Sequence, residues 1–274
     1  MLNKALLAAG ATVLIGAAAQ AADLPAQITD RGHLNLTVNG TYAPMEYTDP
    51  ATGKLTGLDI DLAKAIAAKL GLEIEFSDTA FAQLIPSLET GRTDFIISGL
   101  SDRASRRETM DFIDYLRTGA QFLVGDGSEI TSVEQLCGKK VGTTRSTSFP
   151  EEIQKWSAAN CEAKGAPAVV YVPAENSIDA RTQLKQGRID AAVQGSETIP
   201  YAMQNEPDTF RAVGEPFTLG YQGIAFRKAD TELRAKIQET LQALLDDGTY
   251  LKILTSYGLQ ANAVEELKIN AAPQ

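Results

Sequence analysis

Residues 57–76 read GLDIDLAKAIAAKLGLEIEF. Leu58, Leu62, Ile66 and Leu70 recur at every fourth position, which places them on one face of a helix. Asp59 and Asp61 fall in its first turn, where the positive end of the helix dipole favours acids. Gly71 stands where such a helix stops, and LEIEF then alternates as a half-buried strand. The same unit extends in both directions. His33–Val38 (HLNLTV) reads as a strand before it, 81–90 (FAQLIPSLET) as a helix and 94–98 (DFIIS) as a strand after it. Further on come a strand start at 140–142, a helix at 151–159, a strand at 168–172 (AVVYV), a helix at 178–186 and a strand at 190–194 (DAAVQ). Strands alternating with helices imply parallel sheets covered by helices, an α/β fold. The turns at 89–94 (ETGRTD) and 185–190 (KQGRID) are near copies: helix end, glycine, basic residue, and an Asp opening a buried strand. This repetition points to two lobes of similar build.

The ends and the composition set the compartment. Lys4 is the only charge before Asp23, and residues 5–19 are an unbroken small and apolar run. That run is shorter than the roughly 20 residues a membrane span needs, and Ala19-Gln20-Ala21 supplies a signal-peptidase pattern. A cleavable signal peptide over 1–21 is expected, leaving a soluble periplasmic protein; an uncleaved anchor is the alternative. Losing Lys4 takes the formal charge from −10 to −11, which argues against nucleic acid as a partner. Cys137 and Cys161 are the only cysteines. In an oxidising compartment an even pair reads as a disulfide, with two buried free thiols as the other possibility. With His33 the only histidine, no zinc site is expected; no metal or cofactor is called for.

Enzyme motifs are missing: there is no G-x-S-x-G elbow, no phosphate loop and no H-E-x-x-H. The notable stretches are loops that follow strands, where open α/β sheets bind ligands. The first, 39–47, carries Tyr42, whose ring could offer a flat apolar face. The second, 98–107, combines Ser98, Gly99 and Ser101 with Arg103, Arg106 and Arg107, a set suited to gripping a carboxylate through paired N–H bonds. The third, 142–148, places Thr144, Thr147 and Ser148 before a helix start, a ready anion site. Taken alone, each also has a structural reading: an aromatic lid on the core, solvated arginines, an N-cap cluster.

In this order the pieces resemble the amino-acid-binding family of periplasmic receptors of ABC importers, bacterial extracellular solute-binding family 3. Matching segments are 42–46 (YAPME), 53–65 (GKLTGLDIDLAKA), 84–88 (LIPSL), 94–100 (DFIISGL), 110–115 (MDFIDY), 139–142 (KKVG), 187–192 (GRIDAA) and 223–227 (GIAFR). The resemblance implies a type II periplasmic-binding-protein fold, two α/β lobes joined by two crossover hinge strands. Lobe 1 would comprise 24–118 plus 218–274, and lobe 2 would comprise 119–217. It implies that Arg106 grips the ligand carboxylate with help from Ser101. Gly99 would contribute backbone, Thr147 would act from the second lobe beside Thr144 and Ser148, and Tyr42 would form one wall of the side-chain pocket. Ser98 and Gln194 join these candidates by position. Two departures stand out. The opposite wall, usually aromatic, is Leu58, and the Asp that usually holds the ligand ammonium is replaced by Gly195.

The implied function is a non-catalytic, monomeric receptor that binds an amino acid, or a modified amino acid or small carboxylate, and delivers it to a membrane permease. Without the usual Asp, either Glu197, Glu46 or another carboxylate supplies the counter-charge or the ligand lacks a free ammonium; the sequence favours the second by a small margin. Two other readings are an enzyme on the same fold, similar to periplasmic cyclohexadienyl dehydratases with Glu197 as its acid, and a ligand sensor feeding a histidine kinase.

Overall fold

The computed structural model describes residues 23–273, so the expected signal peptide lies outside the described part. The helix that opens the reading forms over Leu58–Leu70 and buries Leu58, Leu62 and Ile66 as its periodicity requires, with Gly71 ending it in the left-handed region at φ 70°. Its acids do more than face a dipole. Asp59 is buried and hydrogen-bonded, and Asp61 accepts from the Tyr257 hydroxyl at 2.7 Å.

Strand His33–Val38 pairs in parallel with Glu73–Asp78, Leu34 opposite Ile74. The strand expected at 94–98 is reduced to two bridges, Phe95 to Leu36 and Ile96 to Ala225. Its ladder is split between a parallel and an antiparallel neighbour, and beyond Ile97 the chain turns into the loop at 98–107. The sheet continues through Gly220–Arg227, antiparallel to Met110–Thr118, which also pairs with Ala263–Ile269. The helix expected at 81–90 begins as a 3-10 turn, Phe81–Gln83, before Leu84–Glu89.

The second sheet has five strands in the order Phe210–Val213, Ala120–Gly125, Ala191–Gly195, Lys140–Thr144, Val170–Ala174. Strands Ala191–Gly195, Lys140–Thr144 and Val170–Ala174 run parallel, while Ala120–Gly125 is antiparallel to its neighbours. The helices Phe149–Asn160 and Ser177–Lys185 supply the crossovers.

Each sheet has its own core. One packs Leu34, Leu62, Ile66, Ile224, Phe226 and Leu241; another packs Phe122, Val141, Ile153, Trp156 and Val193. The chain crosses between them twice, at 118–120 and at 214–220. The two passes touch: Ala120 N donates to Thr218 Oγ1 and Phe217 N to Ala120 O, both at 2.8 Å. Cys137 and Cys161 are bonded, with Cα atoms 5.5 Å apart. No helix among the described residues is long and apolar enough to cross a membrane.

Candidate functional site

The residues that follow several strand ends meet in one chamber. Tyr42, Gly99, Ser101 and Arg106 line it from one side and Thr144, Thr147, Ser148 and Gln194 from the other. Asn39, Phe81, Phe149, Ser177 and Val193 complete the lining.

Three arginines share the loop at 101–107, and their partners separate them. Arg107 lays its fork on Asp102, Nε to Oδ1 at 2.5 Å and Nη2 to Oδ2 at 2.6 Å. Arg103 reaches across the cleft to Glu151 and Glu152. Among the described residues Arg106 has no carboxylate partner; its Nη1 donates to Ser101 O at 2.8 Å. Burial strips water from its guanidinium and Arg103 lies nearby, which pulls its pKa down to about 10. It remains a cation at neutral pH, but a poorly hydrated one that an incoming carboxylate would satisfy in two bonds.

Across the chamber, strand Lys140–Thr144 leads into the turn before helix Phe149–Asn160. Ser146 takes the left-handed conformation at φ 68°, and Thr147 Oγ1 donates to Thr144 O at 2.7 Å. The amides of Ser146, Thr147 and Ser148 donate to no protein acceptor among the described residues. Free amides at a helix start favour an anion.

A second pole, behind Tyr42, is acidic. A Cβ built on Gly195 would overlap Glu197 Oε1 and the Tyr42 hydroxyl, so the Glu197 carboxylate fills the space that a side chain at 195 would take. It accepts from Tyr42 Oη and Gln222 Nε2 at 2.7 Å each, and from Thr118 through a short bond. Glu46 and Asp59 are fully buried behind it. Asp59 accepts from Gly99 N at 2.8 Å and from the Tyr115 hydroxyl at 2.6 Å. Glu46 accepts from Ser98 Oγ at 2.9 Å, while its Oε2 meets no donor.

Among the described residues no lysine or arginine forms an ion pair with these three acids. Burial raises all three: Asp59 to about 6, Glu46 well above the usual carboxylate range with Asp59 adding repulsion, and Glu197 against the pull of its Thr118 and Tyr42 hydrogen bonds. A proton held on Glu46 and donated to Asp59 satisfies the orphan oxygen and leaves one negative charge on the pair.

The sequence model of the bacterial extracellular solute-binding proteins, family 3, matches residues 34–260. The chain belongs to that family. This solute-binding protein is 30% identical over 251 residues to the arginine-binding protein ArgT of Corynebacterium glutamicum, covering 91% of this chain and 82% of that one. An ancestral arginine-binding protein solved with arginine bound superposes with a TM-score of 0.74 at 36% identity, covering 83% of this chain and 98% of that one. An ancestral amino acid-binding protein that is a precursor of cyclohexadienyl dehydratase gives 0.75 at 30% identity, covering 84% and 97%. The two-lobed fold read from the sequence is the observed one.

Of the residues that sequence reading assigns to ligand binding, eight line the chamber: Tyr42, Gly99, Ser101, Arg106, Thr144, Thr147, Ser148 and Gln194. Three do not. Leu58 belongs to the first core, fully buried on the inward face of its helix, and forms no chamber wall. Ser98 is fully buried and spent within its lobe, accepting from Asn39 N at 3.0 Å and donating to Glu46. Gly195 lies behind the wall, its side-chain space taken by Glu197. The lining of this solute-binding protein also uses Asn39 and Ser177, which follow strands His33–Val38 and Val170–Ala174; the rule that ligands sit beyond strand ends could have found both. Phe81 and Phe149 start helices and carried no signal of their own.

Proposed function

We propose that this solute-binding protein is the exported, periplasmic receptor of an ABC importer for amino acids, with residues 24–118 and 218–274 as one lobe and 119–217 as the other. The observation that carries the proposal is Arg106, a desolvated cation on the chamber wall whose loop neighbours are both committed to protein carboxylates. It takes the ligand carboxylate together with Ser101, Thr147 and the free amides of the facing turn. Glu197, buried behind Tyr42 rather than on the chamber wall, takes the ammonium in place of the Asp missing at 195 when the lobes part. Its Oε2 accepts only from Thr118, which leaves a lone pair for a further donor. This favours an unmodified amino acid over a substituted one. The space beside Arg106 is about 30 Å³, too little for an amino acid, and adjoins a cavity of about 440 Å³ that shares Tyr42, Ser101, Ser148 and Phe149 with it; an amino acid fits against Arg106 only when the lobes part. Closed-state contacts from both lobes then shift the open–closed equilibrium.

The test is a thermal-shift and calorimetric screen of the standard amino acids on the mature protein. A ligand that binds only the folded chain raises its midpoint by mass action. Arg106→Ala is expected to weaken the best hit by at least about 2 kcal/mol, the scale for removing one partner of a buried charge pair, and Glu197→Gln to weaken it similarly. Unchanged affinity in Arg106→Ala defeats the carboxylate assignment. Silence from free amino acids with a hit among N-acylated ones defeats the ammonium assignment. Turnover of a carboxylate ligand lost in Glu197→Gln establishes an enzyme instead.

A further inference from the structure

We infer that residues 270–272, beyond the span matched by the family, form a brace that positions the ligand-gripping loop, with Asp102, Arg107 and Asn270 as positioning residues; this rests on the reading of Arg106 given above. Strand Ala263–Ile269 runs along Met110–Thr118, with Ile269 opposite Ile113. Asn270 then enters the left-handed region at φ 54° and redirects the chain. It is anchored three ways to the strand: Asn270 N donates to Phe112 O at 3.1 Å, Phe112 N to Asn270 Oδ1 at 2.9 Å, and Asn270 Nδ2 to Asp111 Oδ1 at 2.9 Å. Ala271 N follows, donating to Asp114 Oδ2 at 2.8 Å.

The next residue reaches the loop itself. Ala272 N donates to Asp102 Oδ2 at 3.1 Å, and Ala272 O accepts from Arg107 Nη2 at 2.7 Å. One backbone unit thus bridges both members of the Asp102–Arg107 pair, whose acid side chain is fully buried. Asp102 adjoins Ser101 and Arg107 adjoins Arg106, so the brace holds the immediate neighbour of each ligand-facing residue. The start of the loop is also tied, Ser101 bridging Gln222, and Arg103 holds it across the cleft, but the stretch after Arg103 is fixed chiefly by this pair. Arg106 N and Arg107 N both donate to Arg103 O at 3.0 Å, an irregular turn rather than a helix, and Asp102 N donates to Tyr221 O at 3.0 Å. Bonds from a buried charged pair to a backbone unit are among the stronger hydrogen bonds. Without them the loop gains conformers, and Arg106 must be re-ordered each time a carboxylate arrives.

The experiment uses full-length mature chains. Asn270→Ala removes the anchor on the strand without touching the loop at 101–107, and Arg107→Lys keeps the charge but loses the fork. Amide hydrogen exchange of ligand-free protein is expected to quicken at least tenfold across 101–109 in both variants, with peptides from 170–185 unchanged. Affinity for L-arginine and L-glutamine, used as probes, is expected to fall at least fivefold where the parent binds them. A Cys137→Ala/Cys161→Ala chain serves as the control for destabilisation alone, and should show neither effect. Unchanged exchange across 101–109 in both variants overturns the brace whatever the affinities do. Quickened exchange together with unaltered probe affinity in Arg106→Ala leaves the brace standing and overturns the carboxylate assignment instead. If Asn270→Ala fails to fold, Arg107→Lys decides alone.

Discussion

Buried acids without basic partners are the most telling single residues. Besides Glu46, Asp59 and Glu197, the brace contains Asp114, buried with its Oδ1 lacking a donor. Burial raises Asp114 to about 7 from 3.8, with the neighbouring Asp102 adding to the rise against the pull of Ala271 N and Arg107, and raises Asp59 to about 6 from the same value. Above 3.8 the unfolded chain releases protons that the folded chain still holds. The stability these groups contribute is therefore complete below that point and is lost as the pH climbs through 6 and then 7. Asp111 and Asp247 shift downward and titrate below this window. The melting midpoint is accordingly expected to fall from pH 5 to pH 8 by roughly 5 °C. Asp114→Asn, which mimics the protonated acid, should flatten that slope; a midpoint that rises over the same range would contradict it. None of this is written in residue types. The missing Asp at Gly195 is visible in the sequence, but the turning of Glu197 into that space depends on a strand end and a tyrosine 155 positions away. Leu58 and Ser98 show the same limit, since order along the chain does not say which way a side chain faces.

At the scale of elements, the two near-identical turns are the most legible feature. Thr90 N, Gly91 N and Arg92 N donate to Pro86 O, Leu88 O and Ser87 O; Gln186 N, Gly187 N and Arg188 N donate to Thr182 O, Leu184 O and Gln183 O. Each closing Asp then staples the adjacent parallel strand, Asp94 Oδ2 accepting from Asn35 N at 2.7 Å and Asp190 Oδ2 from Lys140 N at 2.8 Å. Local chemistry sets both turns, so the sequence alone reveals them. The split strand at 95–96 was not legible, because its partners Leu36 and Ala225 come from distant segments. The disulfide links the turn after Val133–Leu136 to the end of helix Phe149–Asn160, and Cys161 is fully buried in the second core. Closing a loop of this length should contribute about 3 kcal/mol by restricting the unfolded chain. Replacing both cysteines by alanine should lower the melting midpoint by roughly 10 °C and leave ligand affinity unchanged, because neither cysteine lines the chamber. Calorimetry on the double variant reads both, and a loss of affinity would tie the bond to the site.

For the whole molecule the question is what holds the lobes together besides a ligand. Contacts cross the cleft on several sides: Ser177 Oγ donates to Thr41 O at 2.6 Å, the rings of Tyr47 and Tyr201 lie 5.6 Å apart, and Tyr42 meets Glu197. The charged link is Arg103, whose Nη2 stands 3.3 Å from Glu151 and whose Nη1 pairs with Glu152 and donates to Ser148 O at 3.3 Å. Arg103 and Glu152 are 19% and 15% exposed, whereas Glu151 is 56% exposed, so Glu152 carries most of the attraction and solvent screens the rest. Arg103 lines the adjoining cavity rather than the chamber around Arg106. If closure is an equilibrium, removing this link weakens the closed state alone, by about 1 kcal/mol, or roughly fivefold in the closed-to-open ratio. Apparent affinity falls by the same factor whenever the competent form is the minor one. Arg103→Ala is therefore expected to enlarge the radius of gyration of the ligand-free protein in solution scattering. Raising the salt should move the parent protein in the same direction, while saturating ligand should restore the compact form of the variant. Identical scattering of parent and variant at low salt, with equal affinities, would mean that Arg103 decorates a closure decided elsewhere, by Tyr42 on Glu197 and by the ligand itself.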